Sequence, residues 1–244
     1  MAVKFDILNS LSDFRNMGGT TKFPDSLKSV LSYIQNDKNI STMEQAAYLL
    51  ATAKAESDYS LQRWEADYVC GKAGVPYKGQ PCQKAIDYYR SSSGKKNYFD
   101  LGVDSKGMAY FGRGLIQLTG KHNYEKYGNL IGVDLVKDGD KALEPKNSYK
   151  IASEYLKAKT WKHVESGDLT RARRSVNGGT NGLSEVNNEY KLWLSIFKKK
   201  NVDFKRVEKT KKQRRNQVIL YSAIGFAVVG IGVSLWYFTR PKKG

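Results

Sequence analysis

The chain has 244 residues, 40% of them hydrophobic, enough for one substantial domain with an appendage and too apolar for disorder to be the state of most of it. Its formal charge of +17 is uneven: residues 198–244 hold 13 Lys/Arg against two acids, leaving 28 basic and 22 acidic residues, a net +6, in residues 1–197. A basic tail favours polyanions such as nucleic acid, anionic lipid or an acidic wall polymer, without choosing among them.

Taken in chain order, residues 1–24 form an N-terminal segment that begins "MAVKFDILNSLSDFRN". It alternates like an amphipathic helix and lacks the uninterrupted apolar stretch of a secretory leader. Pro24 is placed to open a helix through "PDSLKSVLSYIQND", where Leu27, Val30, Leu31 and Ile34 recur at the helical period. In "STME", Ser41 stands three residues before Glu44, a capping-box pattern that predicts a helix from near Thr42 to about Glu56. Residues 70–107 read as loop around a short helix at "CQKAIDYYR". Cys70 and Cys82 flank a Gly- and Pro-containing stretch; a disulfide there would contribute about 3 kcal/mol, and two unpaired thiols are the open alternative. With His122 and His163 as the only histidines and no ligand spacing, neither a metal nor any other cofactor is expected.

A small β-like element is expected around residues 108–120. Further helices are predicted at "NSYKIASEYLKAKTWK", after Pro145, and at "SEVNNEYKLWLSIFKKK". Residues 198–217 read as a basic juxtamembrane linker, with a polybasic affinity for anionic lipid or wall polymer and no specific nucleic acid as partner. Residues 218–238 are 21 consecutive residues without a charge, long enough to cross a hydrocarbon core of about 30 Å, with Trp236 and Tyr237 at one end. The tail, 239–244, is basic again. Eight Lys/Arg in residues 200–217 against three in 239–244 place the large domain on the cytoplasmic side of that membrane helix.

Two carboxylates in the first half draw chemical interest. Ala53, Thr52 and Leu49 stand three, four and seven positions before Glu56, so its carboxyl sits on a largely apolar helix face. Burial there would favour the protonated form, which suits a general acid; a helix-end residue paired with Lys or Arg is the alternative. Glu65 follows the polar turn "SDYSLQR" and could return from the opposite side of a cleft while ionised. Two carboxyls in contrasting surroundings fit glycoside hydrolysis.

A second constellation bears on the same chemistry. In "AYFGRGLIQLTGKHNYEKYG", residues 109–128, Tyr110, Gly112, Arg113, Gly114, Gln117, Leu118, Thr119, Asn123 and Tyr124 follow a distinctive order. This stretch resembles glycoside hydrolase family 19, the chitinase and phage-endolysin family with a lysozyme-like fold. "LATAKAES" resembles the family's acid-bearing helix end, and "SVNGGTNGL", with Asn177, Gly178 and Gly179, its late Asn-Gly-Gly motif.

The resemblance covers about residues 25–197 and implies a mainly α (α+β), two-lobed lysozyme-like domain. It also implies Glu56 as general acid, Glu65 as general base and Thr119 as a hydroxyl holding the attacking water. Gln117, Asn123 and Asn177 would bind sugar, and Tyr110 would pack against a pyranose face. Ala55 stands where the family usually has a histidine. Arg113 reads as a structural ion-pair or backbone partner, and Trp64 and Trp161 as core.

The expected protein is a membrane-anchored hydrolase of β-1,4 bonds between amino sugars, inverting in mechanism and acting on peptidoglycan strands. Its expected location is a viral membrane or the host inner membrane. A chitinase and an inactive wall-binding membrane protein are the alternatives.

Overall fold

The computed structural model describes residues 25–65 and 102–199, together with Asp87 and Ser91. The N-terminal segment, both cysteines, most of the helix expected at "CQKAIDYYR", the linker beyond residue 199, the apolar span 218–238 and the basic tail lie outside the described residues. Among the described residues, no helix is long and apolar enough to cross a membrane.

Helix α1, Asp25–Asn36, buries Leu27, Val30, Leu31 and Ile34, the four residues its periodicity marks. Each such side chain contributes about 1.5–3 kcal/mol when fully buried. Helix α2, Met43–Ser57, has no comparable solvent face. Ala46, Ala47, Tyr48, Leu49, Leu50 and Ala51 are all buried, so one and a half turns are enclosed on every side. Its alanines let neighbouring helices approach closely, which makes α2 the axis of the domain.

Both ends of α2 are held by local bonds. The cap sits one residue later than the Ser41–Glu44 pairing anticipates: Thr42 accepts from the Gln45 backbone N–H at 3.1 Å. Gln45 Oε1 in turn accepts from the Ser41 backbone N–H at 2.7 Å. The two orphan amide groups are therefore satisfied by the next polar pair along. At the other end, Asp58 (φ 52°) and Tyr59 (φ 63°) adopt left-handed conformations that turn the chain sharply. Tyr59 is anchored there by Glu189 and by the Trp193 indole, which donates to its hydroxyl at 3.1 Å.

Helix α3, Lys121–Ile131, was not anticipated from periodicity; its buried residues are Tyr124, Tyr127 and Gly128, too few apolar positions to register as a stripe. A 3-10 turn, Gly139–Leu143, leads into α4, Pro145–Lys159. The helix expected to continue through Lys162 breaks at Thr160 and resumes as α5, Trp161–Glu165. Trp161 is buried and its indole donates to the Asn39 carbonyl at 3.1 Å. Helices α6, Leu169–Asn177, and α7, Leu183–Lys199, complete the order. Val186, Trp193, Ile196 and Phe197 bury the face of α7 that packs on α2.

The β-like element expected at 108–120 is reduced to isolated antiparallel bridges, Val103–Ala109, Trp64–Arg113 and Arg113–Leu118. Gly114 (φ 76°) and Gln117 (φ 52°) turn the chain twice within four residues, too tightly for a ladder to extend. Arg113 takes over the bracing. Its buried guanidinium donates to Asp140 at 3.2 Å, to the Ala109 carbonyl at 3.1 Å and to the Tyr124 hydroxyl at 2.9 Å. Burial pushes the Tyr124 phenol up to about 12, so it stays neutral and donates onward to the Phe111 carbonyl. The structural reading of Arg113 thus matches its surroundings.

Candidate active site

Glu56 lies in the last turn of α2, with Thr52 and Ala53 buried behind it as the helical spacing requires. Its carboxyl, however, is not in a wholly apolar surround. Arg173 of α6 donates to it at 2.6 Å, and the Glu56 side chain keeps 18% of its exposure. The same guanidinium donates through Nε to the Asn181 carbonyl at 2.8 Å. The Asn177 amide donates to that carbonyl too, at 3.0 Å, while its Oδ1 accepts from the Gly179 N–H. The Asn-Gly-Gly loop is therefore a brace for the cation that grips Glu56. Asn177 is exposed and turned to its own loop in this arrangement.

Glu65 is positioned by two bonds to one residue. Its backbone N–H donates to the Gly112 carbonyl at 2.9 Å, and its Oε2 accepts from the Gly112 N–H at 3.0 Å. This register follows from the Trp64–Arg113 bridge beside it. Trp64 is 1% exposed and packs edge-on to Phe111, so it serves as core and not as a sugar platform.

Gly112 organises the rest. A side chain built on it would meet Gln117 Oε1 at 3.1 Å, Glu65 Oε2 at 3.2 Å and Thr119 Oγ1 at 3.2 Å. Three oxygens, from residues separated by up to 54 positions, therefore converge on one point. Thr119 donates its hydroxyl proton to the Gln117 carbonyl at 2.9 Å, which leaves the Oγ1 lone pairs as acceptors. Replacing Gly112 by alanine is expected to push these oxygens apart by a few tenths of an ångström and to lower turnover by about 10- to 100-fold. Its φ is not positive, so the melting temperature should change little; assay and thermal denaturation of the same preparation would show whether the two effects separate.

The expected sugar-binding residues are placed differently from one another. Gln117 Nε2 donates to the Arg63 and Gly114 carbonyls at 3.1 and 2.9 Å, so that amide nitrogen stitches the loop. Asn123 donates to the Thr119 carbonyl at 2.8 Å and steadies the turn that carries Thr119. Tyr110 departs from the expectation of a pyranose platform. It is 2% exposed, its ring lies edge-on to Tyr124, and its hydroxyl donates to the Val136 carbonyl at 2.8 Å. A ring with both ends engaged in the core has no face to offer a sugar. Ala55 packs against the core without a polar group.

Arg173 is the member that reading the sequence did not single out; Gly112 stands in the motif there, without a site role of its own. The available signal for Arg173 was the run "TRARRSVN", in which Arg173 stands four residues before Asn177 and so on the same helix face. Among the described residues, no group of histidine, cysteine or carboxylate side chains has the form of a metal site. A cleft of about 480 Å³ lies between α3 and the segment after it, lined by Glu125, Asn129, Asp134 and Val136 among others, and includes neither Glu56 nor Glu65.

Two carboxyls, one gripped by a cation and one by a backbone amide, with a hydroxyl beside the second, are groups of the kind that glycoside hydrolysis employs. The chain belongs to glycoside hydrolase family 19: the family's chitinase class I model matches residues 28–163, more than half of the chain, and that stretch contains Glu56, Glu65 and Thr119. A glycosyl hydrolase family 19 domain-containing protein of Haemophilus influenzae is 38% identical over 79 residues, which is 32% of this chain and 38% of that one. The chain thus spans well under half the length of that relative. Among solved structures, chitinase C of Streptomyces griseus HUT6037 superposes with a TM-score of 0.45 at 18% identity, covering 78% of this chain and 81% of that one. A chitinase C mutant does so with a TM-score of 0.46 at 17% identity, covering 71% and 81%.

Proposed function

We propose that this chain hydrolyses the β-1,4 glycosidic bonds of an amino-sugar polymer, with Glu56 as general acid and Glu65 as general base. The observation that carries the reading is the convergence of Glu65 Oε2 and Thr119 Oγ1 over Gly112. A water between them would donate one hydrogen to each and turn a lone pair toward the sugar carbon. Glu65 takes the proton as the water attacks, while Glu56 protonates the departing oxygen. Arg173 holds Glu56 in register and stabilises the carboxylate left after that transfer.

Peptidoglycan is the proposed polymer. A modest catalytic domain joined through a basic linker to the apolar span 218–238 suits an enzyme tethered to a membrane and directed at a cell wall. The excess of Lys/Arg in residues 200–217 over 239–244 puts the domain on the cytoplasmic side. A virus with its own lipid membrane, budded from a host's inner membrane, would reconcile that side with a wall substrate: the enzyme is made inside one cell and carried to the wall of the next.

Digestion of purified peptidoglycan and of chitin oligomers, with mass spectrometry of the new chain ends, tests the reaction. New reducing ends from peptidoglycan are expected; reducing ends from chitin alone would reassign the substrate, and anhydro-muramic ends would remove Glu65 from the mechanism. Protease treatment of oriented vesicles tests the topology, since digestion of residues 1–200 only in right-side-out preparations would refute the cytoplasmic placement.

A further inference from the structure

Glu56 stands at the end of α2, whereas Glu65 and Thr119 meet over Gly112 in the glycine loop, so acid and base belong to different parts of the fold. One side chain joins the two. Ser57, next to Glu56 and 1% exposed, donates its hydroxyl proton to the Leu115 carbonyl at 2.9 Å, across 58 positions of sequence. The same oxygen lies 3.0 Å from the Ala53 carbonyl, the usual acceptor for a serine within its own helix. A hydroxyl has a single proton to give. The Ala53 carbonyl already accepts from the Tyr59 backbone N–H at 3.0 Å, whereas Leu115 is buried in the turn between Arg113 and Leu118, outside the bridge that pairs those two residues. The proton is of most use at Leu115.

Leu115 is held from its other side as well, because its N–H donates to Ser148 Oγ of α4 at 2.8 Å. Two serines on two helices thus grip one residue in the middle of the loop. The positions around it are those of the site: Gly112 three residues before, Gln117 two after and Thr119 four after. The Gly114 N–H and Gln117 Nε2 both donate to the Arg63 carbonyl, at 2.7 and 3.1 Å, which ties the same loop to the segment ending at Glu65. A shift of Leu115 is passed to Gly112, Thr119 and Glu65 together. Ser148 fixes that unit to the scaffold, and Ser57 fixes it to the acid.

We propose that Ser57 is a positioning residue that sets the register of acid against base, its bond to the Leu115 carbonyl holding the end of α2 at a fixed place relative to the loop. The inference rests on Glu56 and Glu65 acting as acid and base. In inverting hydrolysis the proton donor and the water work on opposite faces of one sugar ring, so their separation matters even when each half of the site is intact.

The test measures kcat, KM and melting temperature of the full chain on soluble peptidoglycan glycan strands, for Ser57→Ala, Ser57→Cys, Ser148→Ala, Glu65→Gln and the double variant Ser57→Ala with Glu65→Gln. Both alanine variants leave one backbone group of Leu115 without its partner, so each should lose roughly 3–8 °C in melting temperature. They should differ in rate. Ser57→Ala is expected to lower kcat per folded molecule by about tenfold with KM within about threefold, while Ser148→Ala stays within about twofold of the wild type. Ser57→Cys, which keeps a weak donor in nearly the same volume, should fall between Ser57→Ala and the wild type and carries the test if the alanine variant does not fold. In the Glu65→Gln background the further loss from Ser57→Ala should shrink to less than about twofold, because no base is left to fall out of register. A tenfold loss in both backgrounds would mean that Ser57 acts on the acid or the fold alone and would overturn the proposal. Equal losses of kcat in Ser57→Ala and Ser148→Ala would assign the effect to a loosened loop and do the same, as would wild-type kcat in Ser57→Ala. Wild-type kcat in Glu65→Gln by itself rejects the two-carboxylate reading, and the register falls with it.

Discussion

Glu56→Gln is expected to fold as the wild type does and to turn over glycan about 10²- to 10⁴-fold more slowly, the range for loss of a positioned acid. Glutamine keeps an oxygen for Arg173 and nearly the same volume, so the α2–α6 contact survives while the transferable proton is lost. Glu65→Gln should be nearly as damaging. Its amide oxygen can still accept from the Gly112 N–H, but it is too weak a base to take a proton from water. Thr119→Val should fall between these and the wild type, because it removes one of the two acceptors for the water and leaves the base. The measurement is release of reducing ends per folded molecule, with circular dichroism as the check on folding. Near wild-type rates for Glu56→Gln would sink the acid assignment; an unchanged Glu65→Gln would leave the family and the fold standing and end the two-carboxylate mechanism.

A large loss of stability is expected from Gly114→Ala. A methyl there would lie 2.7 Å from Ser148 Oγ and 2.9 Å from the Ala142 carbonyl, and the residue sits at φ 76°, where a side chain is strained in any case. Ser148 cannot simply move aside, since its hydroxyl accepts from the Leu115 N–H at 2.8 Å and ties the loop to α4. Clash and strain together should cost about 3 kcal/mol or more, which corresponds to roughly 6–12 °C in melting temperature for a chain of this size. Gly120→Ala is the control. Its φ of 87° is just as demanding, yet nothing lies within 4 Å of the added methyl. The conformational part alone, about 1–2 kcal/mol, should therefore appear there. Equal losses in the two variants would show that crowding against Ser148 and Ala142 contributes nothing.

Signals carried by short stretches of chain were enough to outline the helical body. The spacing of Leu27, Val30, Leu31 and Ile34 marked α1 and its buried face, and polar residues before an alanine-rich run marked the start of α2 to within a residue. Pro145 and the apolar positions after Leu183 did the same for α4 and α7. These elements are legible because helix period and capping depend on neighbours within four positions. The motif from Tyr110 to Tyr124, with the helix end at Glu56, likewise points to the family on residue order alone.

Tertiary structure decided what surrounds those residues, because side-chain partners come from packing and not from spacing. Arg173 reaches Glu56 across 117 positions, and no local pattern reports which of the neighbouring arginines turns inward. Tyr110 has the residue type of a sugar platform, yet the folding of the glycine loop over α3 carries its ring into the core. The turns at Gly114 and Gln117 left isolated bridges where a β element was expected, and in doing so brought Gly112 beneath Glu65, Gln117 and Thr119. The sequence by itself determined which residue types were available for acid–base chemistry and that a helical scaffold would carry them. The convergence of Glu65, Gln117 and Thr119 on one point required long-range contacts that only the packed loop supplies.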